Sequence, residues 1–309
     1  MSRMSSSRHA GPILLFGADG QTGRELRRSL STLAPVTAVR RRDADLADPS
    51  AASRLVRALR PSLIVNAAAS NAVDRAEGEP DIAMAVNAVA PGVLAEEAKS
   101  LDAALVHFST DYVFGQTGYR DANGRPRPFH EADPTEPLGV YGRSKLAGEQ
   151  AIRATGVAHL ILRTSWVYSK TARGFLGALL RLDIEGDELA IVEDEESCPT
   201  WAPSLADATA QILAAGWARG GTDALAASEG TYHLAGESWC SRFNFAAAVF
   251  AHHAAHGRST PRLRAVASAA FPAAALRPGF SALDSRRALD TFGVSIPGWQ
   301  TTLDLCLDR

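Results

Sequence analysis

Ile13-Leu14-Leu15-Phe16-Gly17-Ala18-Asp19-Gly20-Gln21-Thr22-Gly23 is the stretch on which the fold turns. Its first four residues are wholly apolar, as in a strand covered on both faces. A G-x-x-G-x-x-G turn follows and runs into residues 24–33, which have helical spacing. Glycines at this spacing permit a tight turn, close approach of a pyrophosphate to the backbone, and close packing of helix on strand. The helix start then offers free N–H groups and the positive end of its dipole to phosphate oxygens. A glycine-rich turn alone is often no more than a turn. The strand before it and the helix after it make Gly17, Gly20, Gln21, Thr22 and Gly23 a candidate dinucleotide cradle.

Outward from this unit, strand and helix signals alternate. Strands are predicted at 36–39, 62–67, 104–108 and 159–164, and helices at 51–59, 81–100 and 140–155. Such alternation of covered strands and crossover helices predicts an α/β fold, a doubly wound parallel sheet of the Rossmann type. Past residue 169 the rhythm loosens, with strands predicted at 189–192 and 231–234 and helices at 204–218 and 242–256. This predicts a dinucleotide-binding domain over 11–168, with 200–236 returning to it. Residues 169–199 and 237–309 then form a smaller C-terminal substrate-binding domain. Residues 1–10, rich in Ser and Arg, read as a disordered extension.

The chain has 309 residues, is 46% hydrophobic and carries a net charge of −2, enough apolar material for a sizeable core. No basic excess or stripe points to nucleic acid. No apolar run reaches the roughly 18 residues of a membrane helix. Three scattered cysteines, Cys198, Cys240 and Cys306, make neither a disulfide framework nor a metal cluster, so a reduced, cytoplasmic protein is expected. No metal site is assigned. His252, His253 and His256 lack acidic or thiol companions and read as part of an alanine-rich helix, and the acidic run 193–196 reads as a solvated loop. His107 reads as a core histidine with a satisfied hydrogen bond.

The second strand should end beside an adenosine ribose, where an acidic residue suits NAD and an arginine suits the 2′-phosphate of NADP. Here Val39 is followed by Arg40-Arg41-Arg42. Guanidinium groups pair with phosphate through two parallel hydrogen bonds. NADPH preference carried by Arg40 or Arg41 is therefore expected, with a solvated charged turn as the alternative and NADH use possible.

Tyr141 and Lys145 stand four apart in a helical segment and so share one face. Ketone reduction needs a hydride donor and a proton donor to the developing alkoxide. A phenol of ordinary pKa about 10 serves poorly unless a cation stabilises its phenolate, which Lys145 can do. Ser109-Thr110-Asp111-Tyr112-Val113-Phe114 follows an apolar strand, at the strand end where open parallel sheets bind ligands. Thr110, with Ser109 second, is the candidate hydroxyl for polarising a carbonyl.

These strings, together with Val65-Asn66-Ala67-Ala68-Ala69, Ala72-Val73-Asp74-Arg75-Ala76-Glu77 and Leu162-Arg163-Thr164-Ser165-Trp166-Val167-Tyr168, resemble the dTDP-4-dehydrorhamnose reductases. These are extended short-chain dehydrogenase/reductases, and the similarity runs from about residue 13 to about residue 298. The resemblance implies hydride transfer from NAD(P)H to the C4 ketone of dTDP-4-dehydro-L-rhamnose. Tyr141 is then the proton donor, Lys145 its electrostatic partner and Thr110 a donor to the carbonyl. Asp111 orients the sugar, Trp166 contacts it, and Arg277 meets the diphosphate. Asp45 and Leu46 flank the adenine, and Ala67 and Ala68 line the cofactor path. Glu25 matches a position where some members bind Mg2+ at a dimer contact, and a homodimer is possible. Ser70-Asn71 stands where relatives carry an aromatic followed by Thr, the segment 115–130 is longer than usual, and 170–173 replaces an Asn-rich stretch. The alternatives are a 4-ketoreductase or epimerase of another nucleotide deoxysugar, and a non-catalytic dinucleotide-binding regulatory subunit.

Overall fold

The computed structural model describes residues 11–115, 119–120, 124–170, 174–182, 188–220 and 222–308. The extension at 1–10, and parts of the 115–130 and 170–173 segments, lie outside the described residues. Among those described, the central element is a six-stranded parallel sheet of β1 (Ile13–Phe16), β2 (Val36–Val39), β3 (Leu63–Asn66), β4 (Ala104–Thr110), β5 (His159–Thr164) and β6 (Gly230–His233). Its order is β6-β5-β4-β3-β1-β2. The chain leaves β1 toward one edge and returns through β3 toward the other, so a crevice opens between the loops that follow β1 and β3.

Successive side chains of each strand point to opposite faces, and both faces are apolar. Ile13, Leu15 and Val65 pack under α1 (Gln21–Leu30) and Ala202–Gly220, against Leu26, Leu205 and Ile212. Leu14, Phe16 and Ile64 pack on the other face under α2 (Pro49–Leu59), α3 (Ala90–Ser100) and α4 (Val140–Thr155), against Val56, Leu94 and Ile152. Each such aliphatic side chain, fully buried, contributes roughly 1.5–3 kcal/mol before entropy is counted. A third apolar cluster, built on Tyr168, Trp201, Phe245, Trp299 and Leu303, lies outside the sheet at its C-terminal side of the sequence.

Three local differences from the sequence reading have physical causes. Helix α1 begins at Gln21 rather than Arg24, because Arg24 already donates its N–H to the Gly20 carbonyl at 3.0 Å and closes the first turn. The helix expected over 81–100 contains a wider π turn at Ala85–Val89. Pro91 has no N–H to give the Asn87 carbonyl four residues back, and the ladder loosens there. Last, residues 262–266, where no strand was predicted, form one, Arg262–Val266, paired in parallel with Glu188–Val192. The acidic run is the loop expected over 193–195, exposed at Glu193 and Asp194, and only its last residue enters a short pairing. Glu196–Ser197 pairs with Cys240–Ser241, and Asp194 accepts from the Ser268 N–H. Among the described residues, no helix is long and apolar enough to cross a membrane.

Candidate active site

The glycine loop and the loop after β3 touch backbone to backbone. Gly17 has φ +79°, and a Cβ there would sit 2.5 Å from the Ala68 nitrogen; at Gly23 it would sit 2.1 Å from the Gly17 carbonyl oxygen. No side chain fits at either position. The crevice so formed has a volume of about 460 Å³ and is lined by Gly17, Gly20, Ala67, Ala68, Asp45 and Leu46. Arg40 and Arg41 stand at its wall. The Arg40 guanidinium meets Asp19 at 3.2 Å with about a third of its side chain exposed, while Arg41 is 80% exposed and pairs with Asp45 at 3.0 Å. The Ala47 N–H first, with Arg41, holds the Asp45 carboxyl below its ordinary value against burial, which acts the other way.

A second cleft of about 270 Å³ continues from the first through Gly20, Ala67 and Ala68. Thr110, Asp111, Tyr141, Lys145 and Trp166 line it, with Gln21 and Thr22 at the junction. Gln21 also donates to the Val167 carbonyl at 2.8 Å, tying the glycine loop to the strand beyond Trp166. Two residues to which the sequence alone gave no role place Tyr141. Gly142 lets α4 press on the turn after β4, where a Cβ would lie 2.2 Å from the Tyr112 carbonyl oxygen. Glu77 accepts from the Val140 N–H at 2.7 Å and places a carboxylate at the start of α4, where the helix dipole favours it.

Burial raises the Tyr141 phenol above its ordinary value, an effect the Thr110 hydroxyl opposes and Asp111 and Tyr112 add to. Lys145 is 1% exposed. Its nitrogen donates to the Phe108 carbonyl at 2.6 Å and lies 3.1 Å from His107 Nε2. The strand end offers a buried carbonyl that needs a donor, and this draws the Lys145 nitrogen onto β4. Burial pushes Lys145 down to about 8, with Glu149 acting the other way.

The Ser109 and Thr110 hydroxyls separate cleanly. Ser109 donates to buried Glu149 at 2.6 Å and is committed there. Thr110 donates to Asp111 at 3.0 Å and accepts from the Tyr112 N–H at 3.1 Å, facing the cleft. Asp111 is 3% exposed and accepts from Ser281 at 2.6 Å and Ser165 at 3.0 Å as well. Hydroxyls of Thr110, Ser165 and Ser281 thus converge on the Asp111 carboxylate, which also lines the cleft. Burial raises its carboxyl, which the three hydroxyl donors oppose.

Trp166 has φ +39°, an outlier for a bulky residue and a strain of order 1–3 kcal/mol. Phe245, with ring centroids 5.0 Å apart, and the Arg242 guanidinium, 4.8 Å from its ring centroid, hold it. Arg242 lines the cleft and was not singled out by sequence; its surroundings carry no local motif. Arg277 pairs with Asp74 at 2.7 Å. Glu25 pairs with Arg28 at 3.2 Å, and among the described residues no group of three His, Cys, Asp or Glu side chains could hold a metal.

A protein-family profile described as the RmlD substrate binding domain matches residues 11–309. The dTDP-4-dehydrorhamnose reductase of Burkholderia thailandensis is 39% identical over 299 residues, covering 96% of this chain and 97% of that one. The protein of the same name from Escherichia coli K12 is 39% identical over 303 residues, covering 96% and 97%. Among solved structures, the dTDP-4-dehydrorhamnose reductase of Clostridium acetobutylicum superposes with a TM-score of 0.84 at 29% identity, over 96% of this chain and 98% of that one. That of Bacillus anthracis, in complex with NADP, does so with a TM-score of 0.82 at 29% identity, over 96% and 99%. Matches of this identity run end to end, through both clefts and the segments that wall them, and so the chain belongs to the dTDP-4-dehydrorhamnose reductase family.

Proposed function

We propose that this chain is an NADPH-dependent reductase of the C4 ketone of dTDP-4-dehydro-L-rhamnose, giving dTDP-L-rhamnose. One observation carries the reading. Tyr141, Lys145 and Thr110 line a cleft continuous with the glycine-loop crevice, in a chain 39% identical over nearly its whole length to reductases of that name. The glycine positions that a Cβ would fill support a dinucleotide lying against bare backbone there.

A bound reduced nicotinamide would supply the hydride. Tyr141 gives its proton to the alkoxide, and its burial keeps that proton in place at neutral pH. The Thr110 hydroxyl, a rotor steadied by Asp111, turns its hydrogen to the substrate oxygen. Lys145 orders the site beneath them. Trp166 offers a flat face to the sugar ring. Arg242, inside the cleft, is better placed than Arg277 to meet a diphosphate.

The decisive assay follows NADPH absorbance with a panel of dTDP-4-keto-6-deoxy sugars. Stoichiometric NADPH oxidation is expected. An epimerase would convert substrate without net oxidation, and tight NADP binding without turnover would indicate a regulatory subunit. For cofactor choice, Arg40 is the residue at the crevice wall with a guanidinium free to leave Asp19 for a phosphate. Arg40→Asp is expected to lower the NADPH-over-NADH preference in KM by about tenfold or more, since a charge-assisted phosphate contact is lost. An unchanged ratio removes Arg40 from that role.

A further inference from the structure

The far end of the glycine-loop crevice has the glycine turn on one side and the end of β2 on the other. The Ala18 N–H donates to the Val39 carbonyl at 3.2 Å, so the residues that follow each, Asp19 and Arg40, are held across from one another. The Asp43 carboxylate accepts from the Arg40 N–H at 2.9 Å and fixes the backbone from which the guanidinium starts. Asp19 Oδ1 lies 3.2 Å from Arg40 Nε, and this carboxylate has no other partner among the described residues. The neighbouring pair differs. Asp45 accepts from the Ala47 N–H at 3.0 Å as well as from Arg41, whose side chain is 80% exposed. Asp45 is thus committed to its own loop, and Asp19 only to Arg40.

A carboxylate beside the adenosine ribose suits NAD, and an arginine there suits the 2′-phosphate of NADP. In this chain β2 runs into the arginine, and the glycine turn supplies the carboxylate that the strand end lacks. Both side chains are partly exposed, so their ion pair by itself is worth little. A 2′-phosphate raises the stakes. It carries close to two negative charges at neutral pH, competes with Asp19 for one guanidinium, and is repelled by the carboxylate across the crevice. The ribose hydroxyls of NADH carry no charge and can donate to that same carboxylate. We propose that Asp19 is a selectivity-determining residue, which restrains the NADPH preference that Arg40 creates and keeps NADH a competent cofactor.

The proposal rests on the reading of the crevice as a dinucleotide site, yet its test needs neither sugar nor turnover. Calorimetry on the full-length chain gives Kd for NADP+ and for NAD+ at low and at high salt. Asp19→Asn keeps the size of the side chain, suits a turn and removes the charge. It is expected to tighten NADP+ by about fivefold, the scale of one charge contact near a surface, and to leave NAD+ bound no tighter than in the wild type. The gain should shrink at high salt, where the carboxylate is screened from both phosphate and guanidinium. Asp19→Ser, which also removes the charge, should act in the same direction. In an Arg40→Met background the gain from Asp19→Asn should be smaller, because no guanidinium is left for the carboxylate to withhold. A residue that only shaped the turn would move both dinucleotides together. Unchanged NADP+ affinity, equal changes for the two dinucleotides, or a full gain without Arg40 overturns the proposal. Binding of neither dinucleotide by the unaltered chain overturns the crevice reading itself, and the proposal with it.

Discussion

Tyr141→Phe is expected to lower kcat about a thousandfold while leaving NADPH binding and the melting temperature close to wild type. Positioned proton transfer contributes about 10²–10⁴ to a rate, and a thousandfold corresponds to about 4 kcal/mol of transition-state stabilisation. The substitution removes one oxygen and keeps the ring, which packs edge-on against Tyr112 with centroids 5.8 Å apart. Gly142 and the Glu77 carboxylate go on placing the start of α4. Because the proton moves only in the transition state, kcat and kcat/KM should fall together. Burial holds the phenol above its ordinary value, so its acid form persists into alkaline solution and the loss should not vary across the neutral range. Steady-state kinetics over that range make the check. A variant retaining a fifth or more of wild-type kcat would mean that another group delivers the proton.

Arg163→Met is expected to destabilise the fold by about 3–5 kcal/mol, read by urea denaturation at neutral pH. Arg163 grips Glu149 through two hydrogen bonds of 2.8 and 2.7 Å, and their side chains are 3% and 0% exposed. Arg153 also reaches Glu149 but is 40% exposed and screened by water. Burial alone would raise the Glu149 carboxyl; Arg163 first, then Ser109 and Arg153, bring it below the ordinary value. In the wild type that contribution is present above the ordinary carboxylate range and is lost as pH falls through the depressed folded value. In the variant the burial effect is left largely unopposed and the sign reverses. A carboxyl raised in the folded state contributes stability at low pH and loses it as pH rises, so the variant should gain stability between about pH 7 and about pH 5. Adding Glu149→Leu should restore much of the loss, because no uncompensated charge remains. A loss under about 1 kcal/mol would show that water reaches this pair.

Much of the site was legible because its signals are local. A strand of four apolar residues, three glycines at fixed spacing and a helix need only nearest neighbours to form, and the glycines mark places where backbone meets backbone. Tyr141 and Lys145 share a face by helical period alone. What stayed hidden depends on sheet order and on approach from distant segments. His107 was legible as a buried histidine, but its partners follow from β3 and β4 lying side by side, with Asn66 opposite His107. Arg242 reaches the cleft from a helix some hundred residues past Tyr141, and Arg277 is captured by Asp74 from across the chain. The strand 262–266 carries only a short alternation, Arg262-Leu263-Arg264-Ala265, and forms where residues 188–192 offer it an edge.

The order of amino acids, taken alone, determined that a parallel sheet with a phosphate-ready glycine turn would form, and that a phenol and an amine would lie one helical turn apart. Periodicity and the steric demands of glycine act over a few residues and need no further context. Which way the amine points, which hydroxyl is left for a substrate and which arginine faces the cleft were decided only by the tertiary structure. Buried polar atoms take whichever partners folding brings within about 3 Å, and no local rule says in advance which those are.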